Sequence, residues 1–158
     1  MGSYWWMAGI PQDNNSIHNT LKTFEELGVS EPIRKAIEEL GFVNPMPVQE
    51  EVIPYLLGNR NDVIALAQTG TGKTAAFGIP LLQRIDPDNK ETQAIVLSPT
   101  RELCLQIADD LNAFARYMPH IHIVPVYGGA SIEGQIRSLR HGAQIIVATP
   151  GRLIDLMH

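Results

Sequence analysis

The stretch Val63-Ile64-Ala65-Leu66-Ala67-Gln68-Thr69-Gly70-Thr71-Gly72-Lys73-Thr74 is an apolar run that breaks into a glycine-rich turn and closes on Gly-Lys-Thr. A buried strand that runs into such a turn and then into a helix is the setting in which this string cradles phosphate. Gly70 and Gly72 let the backbone bend so that successive N–H groups from Gln68 to Thr74 point at one anion. Lys73 sets a point charge near the β- and γ-phosphates, and the Thr74 hydroxyl is placed to ligate Mg²⁺. The helix that follows adds the positive end of its dipole. The generic string opens with glycine where this one has Ala67. Without a ligand the same residues would make a plain Gly/Thr turn between strand and helix. The context favours a nucleoside-triphosphate loop, with Lys73 and Thr74 closest to the reacting phosphates.

The sequence has 158 residues, 44% of them hydrophobic, enough for one core and too few for two ordinary domains. No apolar run approaches the roughly 18 residues of a membrane helix, so no membrane contact is expected. A basic stretch followed by an apolar one is missing at the start, so no signal peptide is expected. One cysteine, Cys104, rules out an internal disulfide framework and fits a cytoplasmic protein. Near a helix start its thiol could be mildly activated; the plainer reading is a small, partly buried helix residue. A net charge of −5 argues against a binder of the basic-patch type. The charge is uneven: residues 1–92 carry twelve acidic and seven basic side chains, and residues 93–158 carry five of each. Phosphate contacts in the second part must therefore come from a few placed arginines and backbone amides.

Residues 1–21 read as a flexible tail, polar through Gln12-Asp13-Asn14-Asn15-Ser16 and without apolar period. Order is expected from residue 22 to residue 158. Ile33, Ala36, Ile37 and Leu40 fall on one face of a short helix, with Ser30 as N-cap, Pro32 in the first turn and Gly41 as the stop. Pro45 and Pro47 force an extended connection before a helix over Val48–Leu57. Strands are then predicted at Val63–Ala67, Ala94–Leu97, Ile121–Val126 and Ile145–Ala148. Helices are predicted at Thr74–Ile85, Arg101–Tyr117, Ile132–Arg140 and Arg152–Met157, the second burying Leu103, Ile107, Leu111 and Phe114. Near-continuous apolar strands separated by amphipathic helices indicate an α/β fold, a parallel sheet covered by helices on both faces. Right-handed crossovers place the loops after each strand along one edge, where ligands bind in such sheets. His120 and His122 alternate on one strand, but no cysteine or carboxylate partner is near, and no metal site is expected there.

Four further strings accompany the phosphate loop: Gly41-Phe42-Val43-Asn44-Pro45-Met46-Pro47-Val48-Gln49 with Phe24 upstream, Pro99-Thr100-Arg101-Glu102-Leu103, Gly128-Gly129, and Thr149-Pro150-Gly151-Arg152. In this order and spacing they resemble the DEAD-box family of ATP-dependent RNA helicases, over about residues 22–158. Each string is weak alone; five in order are jointly specific. The resemblance also accounts for Ala67, which that family has at the first position of the loop. It implies a P-loop NTPase of the RecA-like type, here the N-terminal part of the first of two such domains.

The upstream segment, residues 22–50, looks like the family's adenine reader. Gln49 offers an amide donor and acceptor that can pair with adenine N6 and N7, and Phe24 would stack on the base. Read from the residues alone, Phe24 is sooner a core anchor and Gln49 a helix-surface side chain. The resemblance thus implies ATP held by Phe24, Gln49, Gln68, Thr69, Gly70, Thr71, Gly72, Lys73 and Thr74, with Mg²⁺ on Thr74. It implies RNA-backbone contacts from Pro99, Thr100, Arg101, Gly128, Gly129, Thr149, Pro150, Gly151 and Arg152. Thr100 and Thr149 would cap helices, the glycines would admit a sugar–phosphate backbone, and the arginines would add charge-assisted bonds. Such contacts read shape rather than sequence. Taken singly, Gly128-Gly129 is a turn and Thr149-Pro150-Gly151 a helix start.

The sequence stops at His158 before any Asp-Glu-Ala-Asp string. In that family this string, the coupling motif and the arginine fingers of a second RecA-like domain complete the phosphoryl-transfer site. The 158 residues are therefore expected to bind nucleotide without turning it over, to bind RNA weakly, and to self-associate through strand edges left uncovered. Two other functions stay open at this stage: a DNA-directed ATPase of the helicase superfamily, and a non-catalytic nucleotide- or RNA-binding module.

Overall fold

A computed structural model describes residues 22–59 and 71–158. The predicted tail, the predicted strand Val63–Ala67 and loop residues Gln68, Thr69 and Gly70 lie outside the described residues. The described residues form two compact units, divided between Gln83 and Arg84.

In the first unit, α1 spans Glu31–Glu39, α2 Pro47–Gly58, and α3 starts at Thr71 and runs to Arg84. Helix α1 begins where predicted, with Glu31 in the first turn favourable to the dipole, but Ser30 makes no side-chain cap bond. Ser30 instead donates its N–H to Gln83 Oε1 at 3.0 Å. Ile33, Ala36 and Ile37 are buried as the periodicity requires. Leu40 is not: it is the C-cap and 50% exposed. The chain turns away there because Gly41, at φ +89, closes the helix. Its N–H reaches Glu38 O, and the Phe42 N–H reaches Ile37 O, the bond pair of a Schellman stop. Helix α2 starts at Pro47, one residue before the prediction, since proline suits the first turn. Helix α3 starts three residues early and buries Ala75, Ala76, Ile79 and Leu82 along one stripe. Two glutamines anchor its ends. Gln49 Nε2 donates to Gly72 O at 3.0 Å, and Gln83 Nε2 donates to Gly28 O at 3.1 Å.

The second unit follows with β1 (Ala94–Leu97), α4 (Arg101–Phe114), β2 (Ile123–Val126), α5 (Ile132–Arg140), β3 (Ile145–Ala148) and α6 (Pro150–Met157). The strands pair in the order β1-β3-β2, all parallel, with Leu97, Ala148 and Val126 level at their C-terminal ends. A parallel, helix-flanked sheet is thus present as read from the sequence. Strand β2 starts two residues late because the His122 N–H is taken by Gln144 Oε1 at 2.8 Å. His120 just before it sits in the left-handed region at φ 62, so the chain bends before it can pair. Gln144, itself buried, also donates Nε2 to His120 O at 2.7 Å. Helix α4 ends at Phe114 rather than Tyr117, in turns closed by Ala113 and Ala115 carbonyls.

Coverage of the sheet is less complete than alternating strands and helices suggest. Ile145, Val147 and Ala148 of β3 are fully buried, but Ile95 and Leu97 of β1 are 52% and 54% exposed. Helix α4 packs on β2 and β3 and α5 on β2, so within this unit neither covers that face of β1.

The buried stripe of α4 is Cys104, Ile107, Ala108, Leu111 and Phe114; Leu103 is only half-buried. Cys104 is therefore a core residue, not a partly exposed one. Its Sγ lies 3.1 Å from Val147 O, and burial pushes the thiol pKa up, opposite to helix-terminus activation. A thiol-specific disulfide reagent at mildly alkaline pH should leave the native chain unlabelled and titrate Cys104 once guanidinium unfolds it. Rapid labelling of the native chain would show that α4 does not seat on β2 and β3.

Candidate functional site

The first unit assembles the start of α3 against the segment before α2. Gly72, Lys73 and Thr74 occupy the first turn, where backbone N–H groups have no partner within the helix and favour an anion. Gly72 packs closely: a Cβ there would force the Met46 side chain to move and would come within 3.4 Å of Gln49 Nε2. Gln49, fully buried, accepts from the Met46 N–H at 2.9 Å and donates to Gly72 O. Each end of the amide is used once, which leaves one N–H and one lone pair. Because Gln49 is wholly enclosed, a base reaches these only when the covering segment shifts.

Lys73 is 9% exposed and Thr74 7%. Burial holds the Lys73 ammonium below the ordinary lysine value. A buried cation beside a hydroxyl at a helix N-terminus fits a phosphate chain and one oxygen ligand of a divalent cation.

Phe24 is buried at 6% exposure, a core residue, and one side of it faces an open cleft of about 290 Å³. Phe42, Val43, Arg34 and Glu38 line that cleft as well. Phe42 is half-buried, and the sequence reading assigned it no role of its own. Its signal was present: an aromatic directly after Gly41, within the segment that carries Gln49.

In the second unit the three strands are parallel and level, so Pro99-Thr100, Gly128-Gly129 and Thr149-Pro150-Gly151 emerge along one edge. Thr100 caps α4, its Oγ1 accepting from the Leu103 N–H at 3.2 Å; Thr149 stands at the N-cap of α6 without a side-chain bond. Ser131, unremarked in the sequence, caps α5 through the Gly134 N–H. Arg101 is exposed and lies over the Tyr127 ring, 5.1 Å from its centroid. Gly129 has φ +84, and a Cβ on it would sit 3.2 Å from Arg101 Nη1. Gly128 and Gly151 are different. Neither has a positive φ, and a Cβ on either would meet nothing within 4 Å. The fold would accept a side chain at both.

Arg152 points inward rather than to the edge. Its side chain is 12% exposed, and Nη1 donates to Ala130 O at 3.2 Å and to Gln135 Oε1 at 3.3 Å. Its Nε faces Asp155 Oδ2 at 3.7 Å.

The parallel, helix-flanked sheet is of the RecA-like α/β class. A family model for DEAD/DEAH box helicases matches residues 46–158. The ATP-dependent RNA helicase DeaD of Escherichia coli K12 is 50% identical over 133 residues, 84% of this chain and 21% of that protein. A DEAD box protein from Methanococcus jannaschii superposes with a TM-score of 0.76 at 39% identity, over 84% of this chain and 36% of that one. Dbp5 of S. cerevisiae, bound to RNA and ADP BeF3, gives 0.72 at 34% identity over 86% of this chain and 34% of that one. The chain belongs to the DEAD/DEAH box helicase family, and it spans about a fifth of the length of the curated relatives.

The lowered Lys73 pKa has a testable sign. Burial disfavours the charged form, so the unliganded fold gains stability as pH rises past that pKa, while phosphate attraction is lost over the same window. Calorimetric affinity for ADP should therefore decline at a pH below the ordinary lysine range, and Lys73→Ala should be weaker and flat. A profile in the unsubstituted chain that stays level up to that range would contradict the buried placement of Lys73.

Proposed function

We propose that this chain is the nucleotide-binding and RNA-facing front of a cytoplasmic ATP-dependent RNA helicase that couples ATP hydrolysis to RNA remodelling. The observation that carries this reading is the clasp of Gln49 on Gly72, which joins the adenine-type segment to the phosphate-type helix start. Lys73 and the first-turn N–H groups of α3 hold the β- and γ-phosphates, and Gln68, Thr69, Gly70 and Thr71 complete the loop. The Thr74 hydroxyl gives one ligand to Mg²⁺, which when bound neutralises phosphate charge. Adenine lies near Phe42 and Phe24 and draws on the second hydrogen and lone pair of Gln49. RNA runs along the loop edge, its phosphates on Arg101 and on the N–H groups beyond Thr100 and Thr149. Gly128 and Gly151 permit the approach. That Dbp5 was solved with RNA and an ADP compound supports both halves of the reading. Among the described residues no helix is long and apolar enough to cross a membrane.

The nucleotide half is tested by calorimetry on this chain with ATP and GTP. A bidentate amide contact discriminates bases by about 1–3 kcal/mol, so ATP should bind at least about tenfold more tightly. Gln49→Ala should erase that preference and weaken both nucleotides, because Gly72 O loses its donor. Equal affinity for ATP and GTP in the unsubstituted, folded chain would sink the adenine assignment.

A further inference from the structure

Helix α5 has one buried side chain, and it is an amide: Gln135, 7% exposed, while its apolar neighbour Ile132 is 38% exposed. An amide taken out of water must be fully bonded or it destabilises the fold. Gln135 Nε2 donates to Tyr127 O at 3.0 Å, and Oε1 accepts from Arg152 Nη1 at 3.3 Å. The same Arg152 nitrogen donates to Ala130 O. The carbonyls of the first and last residues of the Tyr127–Ala130 loop are thus held by one Gln–Arg pair.

Between those ends lie Gly128 and Gly129, which have no side chains to fix themselves and lose the most backbone freedom on ordering. Tyr127 matters twice, since its ring supports the Arg101 guanidinium. Arg152 is not self-sufficient either. Its buried Nε has no hydrogen-bond acceptor, so Gln135 Oε1 and Ala130 O fix how the guanidinium lies.

We propose that Gln135 is a positioning residue for nucleic-acid binding: it locks the Tyr127–Ala130 loop to the start of α6 through Arg152 and thereby sets the RNA-facing edge. This rests on the RNA-facing reading of that edge given above. Arg152 then serves the edge as a brace, and Arg101 as the contact. Glutamine is required because one group must donate to Tyr127 O while its other end accepts from Arg152. A carboxylate loses the first bond and keeps the second; methionine, of similar shape, loses both.

The test uses the 158-residue chain, fluorescein-labelled oligouridine for anisotropy, and amide hydrogen exchange at Gly128 and Gly129. Gln135→Met should weaken oligouridine binding about tenfold, the scale of one charge-assisted bond, and speed exchange in the loop. Gln135→Glu should give a smaller loss of affinity, and it carries the test if Gln135→Met does not fold. The slope of log affinity against log salt should not change, since no phosphate-facing charge is removed, whereas Arg101→Ala should reduce it by about one. Unchanged affinity and unchanged loop exchange in a folded variant would overturn the proposal. So would a smaller binding-competent fraction with the same Kd, which marks a purely structural role. If the unsubstituted chain binds no oligouridine, the RNA-facing reading fails by itself. Loop exchange then decides the brace: faster exchange in Gln135→Glu supports it, and unchanged exchange overturns it.

Discussion

The first unit depends on one buried side-chain amide. Gln49 is enclosed completely, so its oxygen and nitrogen must find partners inside the protein or the segment would not close. It finds one on its own turn, the Met46 N–H, and one across the unit, Gly72 O. The first bond fixes how α2 begins, and the second fixes where the first turn of α3 stands. With Gly72 pinned, and bare enough for Met46 to lie against it, Lys73 and Thr74 are held in the first turn of α3, the end of a helix that favours an anion. The same amide keeps a hydrogen and a lone pair in reserve. In the proposed reading a base would engage them on the same amide that orders the first turn of α3, so base recognition and phosphate binding would be linked through a single group.

Buried glutamines recur as the device of this chain. Gln144 stitches His120 and His122 to the sheet, and Gln135 closes the loop that carries Gly128 and Gly129. Each is neutral and buried; Gln144 joins two backbone groups, and Gln135 joins the Tyr127 carbonyl to the Arg152 guanidinium. Neutral braces order these loops without drawing on the basic side chains, and Arg101 stays exposed. Arg152 is drawn into the same role, held by two acceptors behind the loop it stands beside.

Much of this was legible in the sequence, for physical reasons. Strands Ala94–Leu97 and Ile145–Ala148 and helix Ile132–Arg140 have the predicted bounds because apolar runs and cap residues mark them locally. The stop at Gly41 was read correctly because left-handed backbone calls for glycine. What was missed depends on partners distant in sequence. Nothing local says that the His122 N–H is claimed by Gln144, which shortens β2, or that Leu40 faces water once the chain has turned. Periodicity put Leu103 in the stripe where packing put Cys104, since the two are one residue apart and the sheet chose between them. At the site, the string around Gly72-Lys73-Thr74 was plain, but the bracing roles of Gln135 and Arg152 were not, because a lone glutamine or arginine carries no motif. Phe42, given no role in the sequence reading, lines the same cleft as Phe24.

The central claim is that Gln49 links nucleotide recognition to the phosphate-binding turn, and heteronuclear NMR of this chain titrated with ADP and Mg²⁺ reads it directly. The account predicts that the backbone amides of Gly72, Lys73 and Thr74 and the side-chain amide of Gln49 shift together, with one apparent affinity. Movement of the loop amides while the Gln49 side chain stays unperturbed, or shifts confined to residues remote from both, would contradict it.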